Sequence, residues 1–591
     1  MTQRPRAWIF LLALLAFLAY APSLANDFTM DDRAVAMGSG ATKNPMVAEL
    51  RPLGEYLSSH YWTGLNPWGH LYRPVTVLSY ALRHAAVGDS AFAAHLLNVV
   101  LHALATLLVF TLIRRLNVRF IPAWIAALVF CLHAIHSEAV AGVVGRAELL
   151  AFWFGASALL LLLDSRRFGK AGRSLHLLGV SLLLFLAFGS KESALAWVPF
   201  IPVYLWVRRR LAASPEKNDR PWMFLEIACV LLPALLFLWF RSRMLAGLPE
   251  GAFLAVDGVV NPIHGAPALT RVLTAVMVWG YGLLLTLFPF HLAADYGAHA
   301  FPIVAGFTDA AFALSLIAAL ALTAVLLLGL AAHRRHPMLF LAMATFLGFS
   351  FATSNLLVPI GTIFGERTFY PPSLALSLAV AWVFQKEFLA RLSTDVLAAA
   401  LVLVLTGAWL GVSSSVILAR NSTWRDNQTL YLAEAAAHPE SVRMQVCAAA
   451  VWRERGKLEL ARHHLEQACA LDPGYTNAWN HLGVVYMELG RHEKAVEALR
   501  RGMRTRRREL RLHLPELSLN LALALAELGK WSESVRALER SLASNPRFLR
   551  RNRLGLELAE RIREHADLPA ALRMRVSRLF RRLGMDAAPR R

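Results

Sequence analysis

About eleven apolar runs, each close to the roughly 20 residues a helix needs to cross a bilayer, limit what this chain can become. They lie near 7–21, 91–113, 120–137, 149–163, 174–189, 193–207, 222–240, 308–332, 338–357, 372–385 and 396–418. Inside hydrocarbon every backbone N–H and C=O must be satisfied within the protein, and runs of this length do so as helices. Composition agrees. The chain is 57% hydrophobic and 17% charged, against about 45–50% and about 25% in soluble domains. An all-α, polytopic membrane bundle is predicted. The first run follows Arg4 and Arg6 as a signal peptide would. Ala21-Pro22-Ser23-Leu24-Ala25 is a poor cleavage site, so the run reads as a retained anchor helix. Segment 271–290 is apolar too and reads as re-entrant or interfacial.

The net charge is +21, from 61 Lys+Arg against 40 Asp+Glu, and several of the short loops between these runs are basic. Basic short loops mark the cytoplasmic side. They are Arg4/Arg6, Arg114/Arg115/Arg119, Arg166/Arg167/Lys170/Arg173, Arg208/Arg209/Arg210, His333/Arg334/Arg335 and Lys386/Arg391. The opposite face then receives 22–90, 138–148, 190–192, 241–307, 358–371 and everything after 419. A single crossing by 271–290 would move Arg334 and Arg335 to the outside, which favours the re-entrant reading. Arg241, Arg243 and Arg271 count mildly against this assignment.

The clusters able to do chemistry all fall on that outer face. They are Asp31-Asp32; Tyr72-Arg73-Pro74; His95, Asn98 and His102; His133-x-x-His136-x-Glu138; Gly145-Arg146-x-Glu148; Lys191-Glu192; Asp295-Tyr296; and Glu366-Arg367 with Tyr370 and Ser373. Ionisable groups at membrane depth are costly and mark functional sites. Adjacent carboxylates raise each other's pKa, which suits a general base. Arginine is the forked donor best matched to phosphate. Glu148 and Glu366 stand beside Arg146 and Arg367 in sequence and could hold them in place or close helix ends with them. The spacing of His102, His133 and His136 with Glu138 admits zinc, but hydrogen-bonded histidines near headgroups are the commoner case. Four cysteines, Cys131, Cys229, Cys447 and Cys469, show no metal spacing and no disulfide framework.

The chain closes on three repeats. Trp479-x-x-Leu482-Gly483-x-x-Tyr486 precedes Leu489-Gly490, Ala495 and Leu499. This follows the 34-residue helix–turn–helix pattern of the tetratricopeptide repeat. Trp452, Gly456, Ala461, Ala468 and Pro473 make the preceding unit. Leu525, Leu528-Gly529, Leu538 and Pro546 make the following one, after an insertion within 500–515. That stretch holds Arg500, Arg501, Arg504, Arg506, Arg507, Arg508 and Arg511, a solvated or lipid-facing strip. Stacked repeats form a binding groove.

Taken in order, Met30-Asp31-Asp32, Tyr72-Arg73-Pro74, His95-x-x-Asn98-x-x-x-His102, His133-x-x-His136-x-Glu138, Gly145-Arg146-Ala147-Glu148, Lys191-Glu192, Ala294-Asp295-Tyr296 and Glu366-Arg367 with Tyr370 resemble one family. It is the transmembrane and tetratricopeptide-repeat-containing O-mannosyltransferases of the GT-C class. Departures are three repeats where animal members carry more, and Phe369 before Tyr370. The resemblance implies a GT-C-like domain over 1–419 with a first outer loop at 22–90, repeats over 420–550, and a helical cap and basic tail over 551–591. It implies an inverting transfer of a sugar, mannose by family, from a polyisoprenyl phosphate to a protein Ser/Thr hydroxyl. Asp31 and Asp32 are the expected catalytic pair, with Asp31 favoured as base. Arg73, Arg146, Lys191 and Arg367 are expected at the donor phosphate, Arg146 and Arg367 foremost. Tyr72, His102, His136, Glu138, Glu148, Glu192, Asp295, Tyr296, Glu366 and Tyr370 are expected to support them. No cofactor is required; Asp31 and Asp32 could hold Mg or Mn. Expected partners are the lipid-linked donor and a polypeptide, not nucleic acid. A bacterial inner membrane with a periplasmic site is the expected setting. A GT-C reaction on a lipid or glycan, and a non-catalytic scaffold, are the alternatives.

Overall fold

A computed structural model describes residues 4–40, 43–64, 70–165, 167–212, 220–248, 258–385, 396–505, 510–546, 548, 552–564 and 569–583. Arg166, Lys386, Arg391, Arg506, Arg507, Arg508 and the tail from 584 onward lie outside them. Every regular element among the described residues is helical. The chain forms two compact units. One comprises Met1–Val256, Ile263–Ala294 and Pro302–Leu430; the other comprises Asp257–Pro262, Asp295–Phe301 and Tyr431–Arg591.

In the first unit, eight helices have the length and composition to cross a membrane: Pro5–Ala25, Ala91–Arg115, Val143–Ser165, Lys170–Ser190, Trp222–Ala246, Ala268–Leu287, Phe312–Ala332 and Ala400–Thr423. The chain is a multi-pass membrane protein. Phe120–Cys131 and Ala134–Ala141 form a broken pair bent by 46°. Two expected spans are shorter than read, Pro337–Phe351 with 15 residues and Leu374–Val383 with 10, while Trp197–Leu211 keeps the 15 residues of its run. At 1.5 Å per residue, 15 residues rise only about 22 Å, short of a hydrocarbon core of about 30 Å. Segment 271–290, read as re-entrant or interfacial, forms one continuous helix, Ala268–Leu287. The chain leaves and returns at one place, because the Ala298 N–H donates to Val259 C=O (2.5 Å).

Between the first two long helices the chain folds into a small apolar core of its own. Phe28, Val35, Ala36, Val47, Tyr56, Tyr61, Val77 and Tyr80 pack together with Val143. Asn44 caps the short helix Pro45–Ala48 by accepting the Met46 N–H. This core fixes the loop that carries the acidic pair.

The second unit contains the three expected helix pairs: Val442–Glu454 with Leu458–Leu471, Thr476–Glu488 with His492–Met503, and Leu510–Glu527 with Trp531–Ser544. Gly456, Gly490 and Gly529 turn each pair with φ of 70°, 71° and 68°. These left-handed positions favour glycine because no Cβ is present to clash. The insertion lengthens the first helix of the third pair to 18 residues, against 13 in the second. Helices Arg553–Glu564 and Ala570–Leu583 add Leu558, Ile562 and Leu572 to the same core. All four cysteines are free.

Helix Arg146–Ser165 is seated by Gly155, where a Cβ would overlap the indole of the fully buried Trp197. Overpacking of this kind costs about 1–3 kcal/mol. We expect Gly155→Ala to lower the thermal midpoint of the detergent-solubilised protein. A midpoint equal to that of the wild type would contradict this packing.

Candidate active site

The acidic pair divides at once into two environments. Thr29 to Asp32 form a tight turn closed by the Asp32 N–H donating to Thr29 C=O (2.9 Å). Asp32 opens the short helix Asp32–Val35 and is fully buried, 0% exposed. Its Oδ2 accepts from Thr29 N–H and Oγ–H (3.1 and 3.3 Å) and from Val143 N–H (3.2 Å). Its Oδ1 accepts from Val144 N–H (2.7 Å). Burial pushes its carboxyl up to about 6, against the pull of these donors. Asp31 is half-buried and, among the described residues, its carboxylate has no hydrogen-bond partner. It lies within electrostatic reach of Asp32, Tyr61 and Arg367.

The cations around Asp31 are each held by a carboxylate far away in sequence. Arg73 Nε donates to Glu192 Oε2 (3.1 Å), and Glu192 Oε1 accepts the Tyr72 N–H (2.7 Å). Arg367 donates from Nη1 to Glu138 Oε1 (2.6 Å) and from its backbone N–H to Oε2 (2.8 Å). Lys191 is paired with Glu148. Side-chain exposure ranks them: 33% for Arg367, 14% for Arg73 and 7% for Lys191. Arg73, Lys191 and Arg367 act electrostatically on one another.

Two pairings differ from those read from sequence. Glu148 holds Lys191 rather than Arg146, and Glu138 rather than Glu366 holds Arg367. Neighbours one or two positions apart on a helix point away from each other, so adjacency was a poor guide. Arg146 is 0% exposed; it donates to Asn98 Oδ1 (3.0 Å) and Ala94 C=O (2.9 Å) beneath the Tyr80 ring. That environment buries the guanidinium in helix packing, with its Nη1 left without a hydrogen-bond partner among the described residues. Glu366 accepts the Ala293 N–H (2.6 Å). Asp295 and Tyr296 belong to the repeat unit. There Asp295 accepts from Ser441 Oγ–H (2.7 Å) and pairs with Arg443 (3.1 Å), and Tyr296 stacks on Phe301.

The histidines form a hydrogen-bonded aromatic cluster. His102 Nε2 faces the Cys131 carbonyl (3.1 Å) and so carries the proton, leaving Nδ1 to accept from Tyr370 OH (2.9 Å). His133 caps the break in the bent pair by accepting the Ile135 N–H, and its Nε2 faces Thr286 C=O (2.9 Å). His136 Nε2–H donates to Ser373 Oγ (2.8 Å) and its ring lies 4.3 Å from that of Tyr370. Ser413 completes the break, donating to Leu132 C=O (2.6 Å) and accepting the Ala134 N–H (2.9 Å). Irregular backbone at membrane depth persists only when its polar groups are satisfied in this way. Among the described residues no group of three or more His, Cys, Asp or Glu is arranged to hold a metal ion. Both oxygens of Asp32 already accept hydrogen bonds, which leaves Asp31 as the open carboxylate of the pair.

Tyr61 was not singled out from sequence, because a lone tyrosine in a loop carries no motif. Its ring lies 5.1 Å from the Arg73 guanidinium carbon, and its buried hydroxyl lies beside that of Tyr80. Burial raises its pKa, so the hydroxyl stays protonated.

Fold and site together describe a multi-pass helical membrane protein that carries a cluster of paired charges and, after it in sequence, a repeat solenoid. The tetratricopeptide repeat family model matches residues 475–546, and a second TPR repeat model matches 451–490. Protein O-mannosyl-transferase F38B6.6 of Caenorhabditis elegans is 24% identical over 473 residues, covering 79% of this chain and 63% of that protein. Protein O-mannosyl-transferase Tmtc2 of Drosophila melanogaster is 32% identical over 303 residues, covering 50% and 31%. Protein O-mannosyl-transferase TMTC1 of Homo sapiens is 26% identical over 524 residues, covering 80% and 56%. The resemblance drawn from the motifs is borne out by these relatives. The chain spans less than two thirds of the length of each.

Asp32 sets a pH signature. Its pKa is raised in the fold from 3.8 to about 6. A raised carboxyl binds its proton more tightly folded than unfolded, so it favours the fold below about pH 4. That contribution is lost as pH rises through about 6. We expect the thermal midpoint of the wild type to fall relative to that of Asp32→Asn between about pH 4 and about pH 6, and the gap to stay level above. A gap that is constant across this window would show that Asp32 does not titrate there.

Proposed function

We propose that this chain is a membrane glycosyltransferase that moves mannose from a polyprenyl phosphate to a protein Ser/Thr hydroxyl on the non-cytoplasmic face. The observation that carries the reading is Asp31: a half-buried carboxylate without a hydrogen-bond partner among the described residues, within electrostatic reach of Arg367. A hydroxyl attacks poorly until a base removes its proton, and a phosphate leaves well once cations meet its charge. Asp31 takes the acceptor's proton. The freed oxygen attacks the anomeric carbon from the side opposite the phosphate. The bond from that carbon to the phosphate oxygen breaks, and the electron pair leaves with the phosphate. Configuration is inverted. Arg367 and Arg73, the most exposed of the cations, meet the phosphate. Glu138 and Glu192 hold their guanidinium groups at a fixed angle, so little is reorganised as charge develops.

The names of the relatives support mannose and a protein acceptor. The basic loops support a site facing away from the cytoplasm, in an inner membrane with the repeats on the same side. The meeting of Val259 and Ala298 around helix Ala268–Leu287 supports that parity, because an extended return across hydrocarbon would leave its backbone unsatisfied. Residues 420–550 would present the acceptor polypeptide, with 551–591 as cap and tail.

The test is transfer from labelled polyprenyl-phosphate mannose in vesicles. We expect Asp31→Asn to lower turnover about 10²-fold or more. Arg367→Gln should raise the donor KM about tenfold, since a charge-assisted hydrogen bond is worth roughly 1.5–3 kcal/mol. Undiminished transfer by Asp31→Asn would sink the catalytic reading.

A further inference from the structure

The residue before the proposed base has an uncommon backbone. Met30, second in the turn from Thr29 to Asp32, has φ of 48°. Turns with positive φ at that position ordinarily place glycine there, because a side chain is strained in the left-handed region. Strain of this kind survives only where the surroundings enforce it, and such residues gather at functional sites.

What enforces it here comes from almost 400 positions away. The Met30 N–H donates to Asn427 Oδ1 (2.7 Å, a sequence separation of 397). The same strip of chain is fastened at two more points. Asp27 N–H donates to Arg425 C=O (2.8 Å), and Asn26 Nδ2 donates to Asn421 C=O (3.1 Å). Asn421 in turn donates to Ala19 C=O (2.9 Å). The loop entering the acidic pair is thus laid along the end of helix Val396–Thr423 and the start of helix Asn427–Ala437. Asn26 and Asp27 are held through backbone groups of their partners, which almost any residue would supply. Of these three partners Asn427 holds through its side chain, and it grips the strained residue.

We propose that Asn427 is a positioning residue for the catalytic base. By accepting the Met30 N–H it holds Met30 left-handed, and that conformation aims Asp31, whose carbonyl begins the next helix, toward Tyr61 and Arg367. The proposal rests on the reading of Asp31 as base. No motif marks Asn427, because its role depends on a contact between the first outer loop and the end of the bundle.

The test uses the full chain in phosphatidylcholine–phosphatidylglycerol vesicles with labelled polyprenyl-phosphate mannose and an acceptor peptide. We expect Asn427→Ala to lower kcat by about tenfold or more while donor KM stays within about twofold, as misaiming a base disturbs the transition state and not donor binding. Asn427→Asp, which keeps an acceptor oxygen, should stay near wild type. Met30→Gly placed on Asn427→Ala should restore kcat to within about threefold, because glycine takes the left-handed turn without a clamp. A merely structural asparagine would not be rescued by a glycine at position 30. Wild-type kcat in Asn427→Ala, or failure of Met30→Gly to restore it, overturns the proposal. Asp31→Asn, measured alongside, separates the two failures: if it is inactive while Asn427→Ala is fully active, only the positioning role falls. If Asp31→Asn is active, the base assignment falls and this proposal with it.

Discussion

A fully buried carboxylate, Asp32, ties this site together. It collects donors from two separate stretches: Thr29 in the first loop, and Val143 and Val144 in the turn before helix Arg146–Ser165. Each buried N–H would cost about 1–3 kcal/mol if left without an acceptor, so the two stretches cannot part cheaply. Once Asp32 is committed inward, Asp31 precedes the helix start and stays partly open beside Tyr61 and Arg367. The two aspartates share one chemistry. Their positions in the turn give them different roles.

The same economy governs the cations. Arg73, Lys191 and Arg367 each lean on a glutamate from another segment, Glu192, Glu148 and Glu138. Breaking such a buried or half-buried pair would strand a charge, which is why each cation keeps a fixed direction. Behind them His102, His133, His136 and Tyr370 pack ring on ring and satisfy the broken helix from within. In the proposed reading these residues shape the site. Arg146, its guanidinium under Tyr80 and bonded to Asn98, belongs with them.

The repeat unit is built on close approach. A Cβ on Gly483 would overlap Leu499, so the second helix pair can meet only where that position has no side chain. Two short stretches that flank helix Ala268–Leu287 join this unit: Val259 and Ala298 enter its apolar core and Asp295 pairs with Arg443. A loop of the membrane chain is therefore part of the repeat fold, which the chain order alone would not suggest.

Much of the architecture could be read along the chain because it rests on local periodicity. Twenty-residue apolar runs make helices, glycines 34 and then 39 residues apart mark repeats with one insertion, and an acidic pair after a span stands out against hydrocarbon. Even here, lengths were misjudged where an apolar run continued past its helix, as at 338–357 and 372–385. The pairing of charges was beyond that reach. Glu138 and Arg367 are 229 positions apart, and Met30 and Asn427 are 397 apart. The residue types needed for the site are written in the order of the chain. Which carboxylate is free to act, and which cation can meet a phosphate, follow from how distant helices bring these groups within about 3 Å of each other, a distance that no local pattern encodes.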